Sequence, residues 1–133
     1  MEPWTRPLFD VLKEYYSPKE ITRMLEEEII EISPLAFMRG RTFKKSWIIA
    51  DEMQNATPSQ MKMLLTRLGE DSKIVVTGDV KQADRKDVNN GLLNLTSLTE
   101  EKEMTYIRSC QFTNKDIERH PAVAEVLTLY GES

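Results

Sequence analysis

Two short apolar stretches, one helix apart, each run into acidic or polar residues, and this arrangement limits the fold more than any other part of the chain. The first is Trp47-Ile-Ile-Ala-Asp-Glu-Met-Gln54; the second is Ile74-Val-Val-Thr-Gly-Asp79, with Gln82 shortly after. Unbroken apolar runs read as strands covered on both faces, the habit of parallel sheets rather than of half-solvated antiparallel ones. Between them, Thr57-Pro-Ser-Gln60 is a capping box with proline at the helix start. Met61, Leu64, Leu65 and Leu68 then recur at i, i+3, i+4 and i+7, with Gly69 placed as a C-cap. Helices alternating with such strands predict an α/β fold with a mostly parallel sheet and helices packed on it. In sheets of that kind the carboxyl ends of the strands form the binding edge.

The flanking segments extend the same pattern. Leu8, Val11, Leu12 and Tyr15 mark one face of a helix. Ser17-Pro-Lys-Glu20 caps a second helix running to about Glu28, with Ile21, Met24 and Leu25 inward and Glu26 to Glu28 as its solvated end. Ile29 to Ile32 reads as a short strand stopped by Ser33-Pro34, and Leu35 to Lys45 as a loop carrying Arg39, Arg41, Lys44 and Lys45. Lys81 to Asn90 is polar and without periodicity, which predicts a loop. Leu92, Leu95 and Leu98 predict a short helix, Met104 to Arg108 a strand, and Pro121 onward a last helix burying Val123, Val126, Leu127 and Tyr130. Met53, Met61 and Met63 read as core filler.

With 133 residues the chain is expected to form one domain, residues 1–133, with a single core. A net charge of −4 gives no general attraction to nucleic acid, so any such binding needs a local patch. Cys110 stands alone, cannot form an internal disulfide, and reads as a buried, inert thiol in a reducing cytoplasm. No apolar run approaches the ~20 residues of a membrane helix, and the N-terminus lacks a basic-then-apolar signal pattern. The expected setting is the cytoplasm, with no membrane partner.

Asp51 and Glu52 carry the clearest chemistry. A carboxylate at a strand tip can reach the water shell of a magnesium ion, and a second one beside it can orient or deprotonate an attacking water. The plain alternative is a strand that ends in a solvated acidic turn. Gly78 fits a turn too close to bound phosphate for a Cβ. Yet Gly-x-x-x-x-Gly-Lys-Ser/Thr, which would grip the phosphates, occurs nowhere in the 133 residues. The residues describe half of a nucleotide-hydrolysing site.

Asp51-Glu52-x-Gln54 followed by Gly78-Asp79-x-x-Gln82 resembles motifs II and III of superfamily 1 helicases. Ala36 to Phe43 (Ala-Phe-Met-Arg-Gly-Arg-Thr-Phe), Asp-Glu-Met-Gln-Asn, Thr-Pro-Ser-Gln-Met-Lys-Met, Leu-Thr-Arg-Leu-Gly, Val-Thr-Gly-Asp and Arg119-His-Pro121 then follow in one order. Together they resemble the PhoH-like family of P-loop ATPases across nearly the whole chain, in a form similar to those encoded by bacteriophages. The resemblance implies a three-layer α/β/α, RecA-like core, here incomplete. It implies ATP and Mg2+ as cofactors, a ring-shaped homo-oligomer or a separate segment bearing the phosphate loop, and ATP use linked to RNA. It makes Asp51 the metal ligand and Glu52 the activator of water. Gln54, Thr77, Gly78, Asp79 and Gln82 become nucleotide-binding residues, and Arg119 a finger arginine or phosphate sensor. Arg39 and Arg41 become contacts to a nucleic-acid backbone or a neighbouring subunit, the alternative being a solvated basic loop. His120 reads as a helix cap.

The chain departs from the family at Arg85-Lys86, where Leu-Pro is usual, and in lacking the phosphate loop. Without that loop's amides and lysine, the strand-end carboxylates face a polyanion with only a weakly held metal between them. The chain alone is therefore expected to be a poor ATPase. A truncated RNA- or protein-interaction module is the alternative.

Overall fold

The structure is a computed structural model and describes residues 5–82, 90–116 and 118–131. Among these, five α-helices and two strands occur: α1 (Arg6–Leu12), α2 (Pro18–Glu26), β1 (Trp47–Ala50), α3 (Pro58–Leu65), β2 (Lys73–Val76), α4 (Gly91–Glu101) and α5 (Pro121–Leu129). Lys73 N–H donates to Ser46 O and Thr77 N–H to Ala50 O, each at 2.9 Å. The partners advance in the same direction on both strands, so the pair is parallel. The protein is thus α/β with a small parallel sheet, consistent with part of a RecA-like core. The chain divides into two compact units, Met1–Ile49 with Lys62–Val75 and Ala50–Met61 with Val76–Ser133.

In the first unit Phe9, Ile21, Met38 and Leu64 form the core. Helix α1 turns inward a face shifted from the expected one, with Leu12 of the expected stripe half-buried. Phe9, its bulkiest apolar side chain, is buried, while Leu8, Val11 and Tyr15 are exposed. The Ser17 hydroxyl caps α2 by accepting from Glu20 N–H, as the capping box predicts. The segment Ile29 to Ile32 is not a strand. Glu28 takes a left-handed conformation (φ 58°), and both Ile29 and Ile30 N–H turn back to the Met24 carbonyl. Those donors close the helix end and are lost to any ladder.

Residues 43–46 run beside 67–73. Phe43 N–H donates to Arg67 O, Gly69 N–H to Phe43 O and Lys45 N–H to Glu70 O, all within 2.7–2.8 Å. Gly69 is not a helix cap, since α3 has ended at Leu65. A Cβ there would stand 2.6 Å from Phe43 O, so glycine is required by the close approach of two backbones. The strands are less covered than unbroken apolar runs imply. Ile48, Ala50, Ile74 and Val76 are half-buried, but Trp47 is 70 % exposed and Ile49 and Val75 lie on the surface with it. The Lys73 ammonium lies 5.2 Å over the Trp47 ring.

In the second unit Met53, Ala56, Met61 and Leu92 are buried, and α4 packs on a short 3-10 turn, Met53–Asn55. Three expectations fail towards the C-terminus. Met104 to Arg108 forms no strand; Tyr106 is 97 % exposed, and no described strand lies alongside to pair with it. Helix α5 begins at Pro121 as expected but buries none of its residues. Cys110 is exposed rather than buried. The loop expected over Lys81 to Asn90 begins as a 3-10 turn, Val80–Gln82, and ends at a buried Asn90. Residues 83–89, including Arg85 and Lys86, lie outside the described residues.

Candidate functional site

The carboxyl ends of β1 and β2 are fastened to each other. Thr77 donates its N–H to Ala50 O, accepts Met53 N–H at its own carbonyl (2.9 Å), and donates its hydroxyl to the Asp51 carboxylate at 2.5 Å. The parallel register places Thr77 one step beyond Ala50, so one residue of β2 holds both the backbone and the carboxylate that follow β1. Asp51 and Glu52 are both solvent-exposed, and neither has a basic partner among the described residues.

Glu52 sits in the left-handed region at φ 57°, ψ 47°. For an L-residue this conformation costs roughly 1–2 kcal/mol, and it turns the chain from β1 into the 3-10 turn. Two residues on, Gln54 is only 6 % exposed. Its Nε2 donates to the Glu52 carboxylate at 2.7 Å and its Oε1 accepts Asp79 N–H at 3.3 Å. Asp79 in turn accepts Lys81 N–H at 2.9 Å, an Asx turn that starts the 3-10 turn Val80–Gln82.

Gly78 lies between these groups and is constrained from within the chain. A Cβ there would stand 2.7 Å from Leu92 Cδ2, 3.0 Å from Gln54 Oε1 and 3.1 Å from Gln54 N. The room that glycine leaves is filled by the chain itself. Gly91 is tighter still: its N–H donates to Ala56 O at 2.6 Å, and a Cβ would meet Thr57 O at 2.4 Å. Sequence reading passed over Asn90. It is completely buried and caps α4 by accepting Leu93 N–H at 3.0 Å. The signal was available, since asparagine directly before a periodic apolar run is a helix-start signature.

The structure therefore brings together Asp51, Glu52, Gln54, Thr77, Gly78 and Asp79. The Gln82 backbone closes the adjacent turn, and its side chain lies outside the described part. Arg119 is exposed just before α5, and no hydrogen bond or ion pair joins it to the strand tips among the described residues. His120 is the cap it was expected to be, its Nδ1 accepting Ala122 N–H at 3.1 Å. Arg39 and Arg41 belong to the first unit. Arg39 is exposed and without a partner among the described residues, whereas Arg41 grips Glu31 through two bonds (2.7 and 3.0 Å) and lies 4.4 Å over the Phe43 ring. The hydrogen bond from Arg41 holds the Glu31 carboxyl below its ordinary value, and the same bond raises Arg41.

Comparison with known proteins matches residues 1–131 to the family described as PhoH-like protein. A PhoH-like protein of Bacillus subtilis is 44 % identical over 133 residues, covering 99 % of this chain and 41 % of that protein. One from Synechocystis is 41 % identical, covering 100 % and 40 %, and Protein PhoH of Escherichia coli is 40 % identical, covering 97 % and 37 %. The chain thus spans about two fifths of the length of these curated relatives. No helix among the described residues is long and apolar enough to cross a membrane.

Proposed function

The chain belongs to the PhoH-like family, and from that membership we propose that it carries the metal- and water-handling side of an ATP-hydrolysing site whose energy is used on RNA. The observation that carries this reading is the fastening of the two strand tips, with the Thr77 hydroxyl on Asp51 and the Gln54 amide between Glu52 and Asp79. The Asp51 and Glu52 carboxylates, without basic partners among the described residues, suit a hard cation. Among the described residues no cluster of three or more histidine, cysteine or acidic side chains exists to cage one. That donor set fits Mg2+, which keeps most of its waters and takes one or two protein oxygens, and it does not fit a closed structural metal site.

In this scheme the Asp51 carboxylate, steadied by Thr77, would hold the ion, which when bound neutralises phosphate charge. Glu52 accepts a proton from, or orients, the attacking water. Asp79 and the turn after it stand beside Glu52 through Gln54, where a change at the nucleotide would be felt. Phosphate grip has to come from residues other than these 133, which contain no Gly-x-x-x-x-Gly-Lys-Ser/Thr loop.

The test is a Mg·ATP titration followed by the backbone amide signals of Asp51, Thr77, Gly78 and Asp79. With only half a site, binding is expected to be weak, with a Kd of ~1 mM or above, an interaction of roughly 4 kcal/mol or less. Shifts at those four residues that require Mg2+ and vanish in Asp51→Asn support the reading. Unmoved signals, or shifts confined to the basic loop around Arg39, overturn it and favour a non-catalytic module.

A further inference from the structure

We infer that Gln54 is a positioning residue, whose carboxamide ties the Glu52 carboxylate to the Asp79 peptide so that the water-handling group and the tip of β2 move as one. The inference rests on the ATP-hydrolysis reading for the role of Glu52, but the tie itself is a matter of geometry. Gln54 is buried, and both ends of its amide are engaged within the chain, Nε2 on Glu52 at 2.7 Å and Oε1 on Asp79 N–H at 3.3 Å.

Chemistry fixes which way the amide faces. Only the NH2 end can donate to a carboxylate, and only the oxygen can accept from a peptide N–H, so the flipped amide would lose both bonds. The bond to Glu52 is charge-assisted and therefore the stronger of the two. It restrains a side chain whose own backbone is in the sparsely populated left-handed region.

Gly78 supplies an independent observation. It precedes Asp79 directly, and the atoms a Cβ would press on include Gln54 Oε1 at 3.0 Å and Gln54 N at 3.1 Å. The missing side chain at Gly78 is what lets the Gln54 carboxamide sit against the β2 tip. A glutamine used in this way does not need to touch nucleotide. Its effect on the reaction passes through Glu52.

Two variants of the whole chain separate the halves of the tie. Gln54→Glu keeps an acceptor for Asp79 N–H but sets a carboxylate against Glu52. Gln54→Met keeps the bulk and removes both bonds. Without ligand, the side-chain carboxyl carbon of Glu52 is expected to shift in both variants. The Asp79 amide proton is expected to move in Gln54→Met and to stay near its wild-type position in Gln54→Glu. Unchanged amide signals around Ile21 and Met38 show that the first unit is intact.

Mg·ATP is then added. In the wild type the Glu52 carboxyl and Asp79 amide signals move over the same concentration range. In Gln54→Met the response at Asp79 remains and that at Glu52 is lost. An equal Glu52 response in wild type and Gln54→Met overturns the inference. If Mg·ATP moves nothing in the wild type, the ATP reading falls and the ligand-free signals decide alone: a Glu52 carboxyl carbon unmoved in both variants overturns the tie, and one moved in both upholds it.

Discussion

The strand tips and the stretch from Met104 to Gly131 belong to the same compact unit, yet they are built in opposite ways. Around the tips, Met53, Gln54, Ala56, Met61, Asn90 and Leu92 are all buried, two glycines are hemmed in by neighbouring atoms, and the polar side chains are hydrogen-bonded to backbone or to each other. In the C-terminal stretch no described residue is buried, and Tyr106, Phe112, Leu129 and Tyr130 stand largely in solvent. The C-terminal stretch does not lack apolar residues; what differs is whether a second element lies across from each side chain. Hydrophobic pattern says which residues need cover, and tertiary neighbours decide which receive it.

The largest expected effect tests that contrast directly. Met61 is 2 % exposed and Leu129 82 %. Met61→Ala should lower stability by about 2–5 kcal/mol, whereas Leu129→Ala should stay within about 0.5 kcal/mol. Urea unfolding of both variants measures the difference. Equal losses would mean that α5 is covered in solution and that the contrast is false.

Glycine sharpens the same point at a smaller scale. A Cβ at Gly91 meets backbone atoms of Thr57 and Ala56, which cannot swing aside as a side chain would. Gly91→Ala should cost about 1–3 kcal/mol by overpacking and should broaden or shift the Asn90 and Gln54 signals. Gly131 has open space around it and a positive φ of 73°, so Gly131→Ala meets backbone strain alone, of about 1 kcal/mol. The site signals should not respond to it.

The helix caps rank next. Asn90→Ala removes a buried cap and should cost about 0.5–2 kcal/mol. His120→Ala, at an exposed helix start, should change stability by less than about 0.5 kcal/mol. Comparable losses at the two caps would again argue that the C-terminal stretch is less open than its exposure indicates.

What could be read from sequence follows the same division. Strands β1 and β2, both capping boxes, the His120 cap and the convergence of Asp51 with Thr77 and Asp79 were legible, because each rests on short-range chemistry or on a parallel register. The inward face of α1, the strand expected at Ile29 to Ile32 and the buried face expected of α5 were not. Each depended on a neighbour that apolar spacing cannot name, or, at Glu28, on a left-handed residue without the glycine that usually announces one. The roles of Gln54 and Gly78 were legible only as motif letters. That they face each other across the two strand tips is a long-range fact.

The smallest effect concerns a polar contact outside both regions and shows how little an exposed pair contributes beside a buried one. Glu31 and Arg41 are joined by two hydrogen bonds, but each side chain is roughly half in solvent. The Arg41 bond lowers the Glu31 carboxyl from 4.5, so folding favours the ionised form. The stabilisation is therefore complete above pH 4.5 and is lost as pH falls through the lower, folded value. Comparing the urea midpoints of wild type and Glu31→Gln should show a small wild-type advantage at neutral pH. It should narrow below pH 4.5 and shrink in high salt, because exposed charges are screened. Gln54→Met, by contrast, should show a loss that salt does not remove, because it removes the two hydrogen bonds of a buried carboxamide, one of them to an uncharged backbone N–H. If salt abolished both effects alike, the Gln54 amide would be solvated rather than seated between the strand tips.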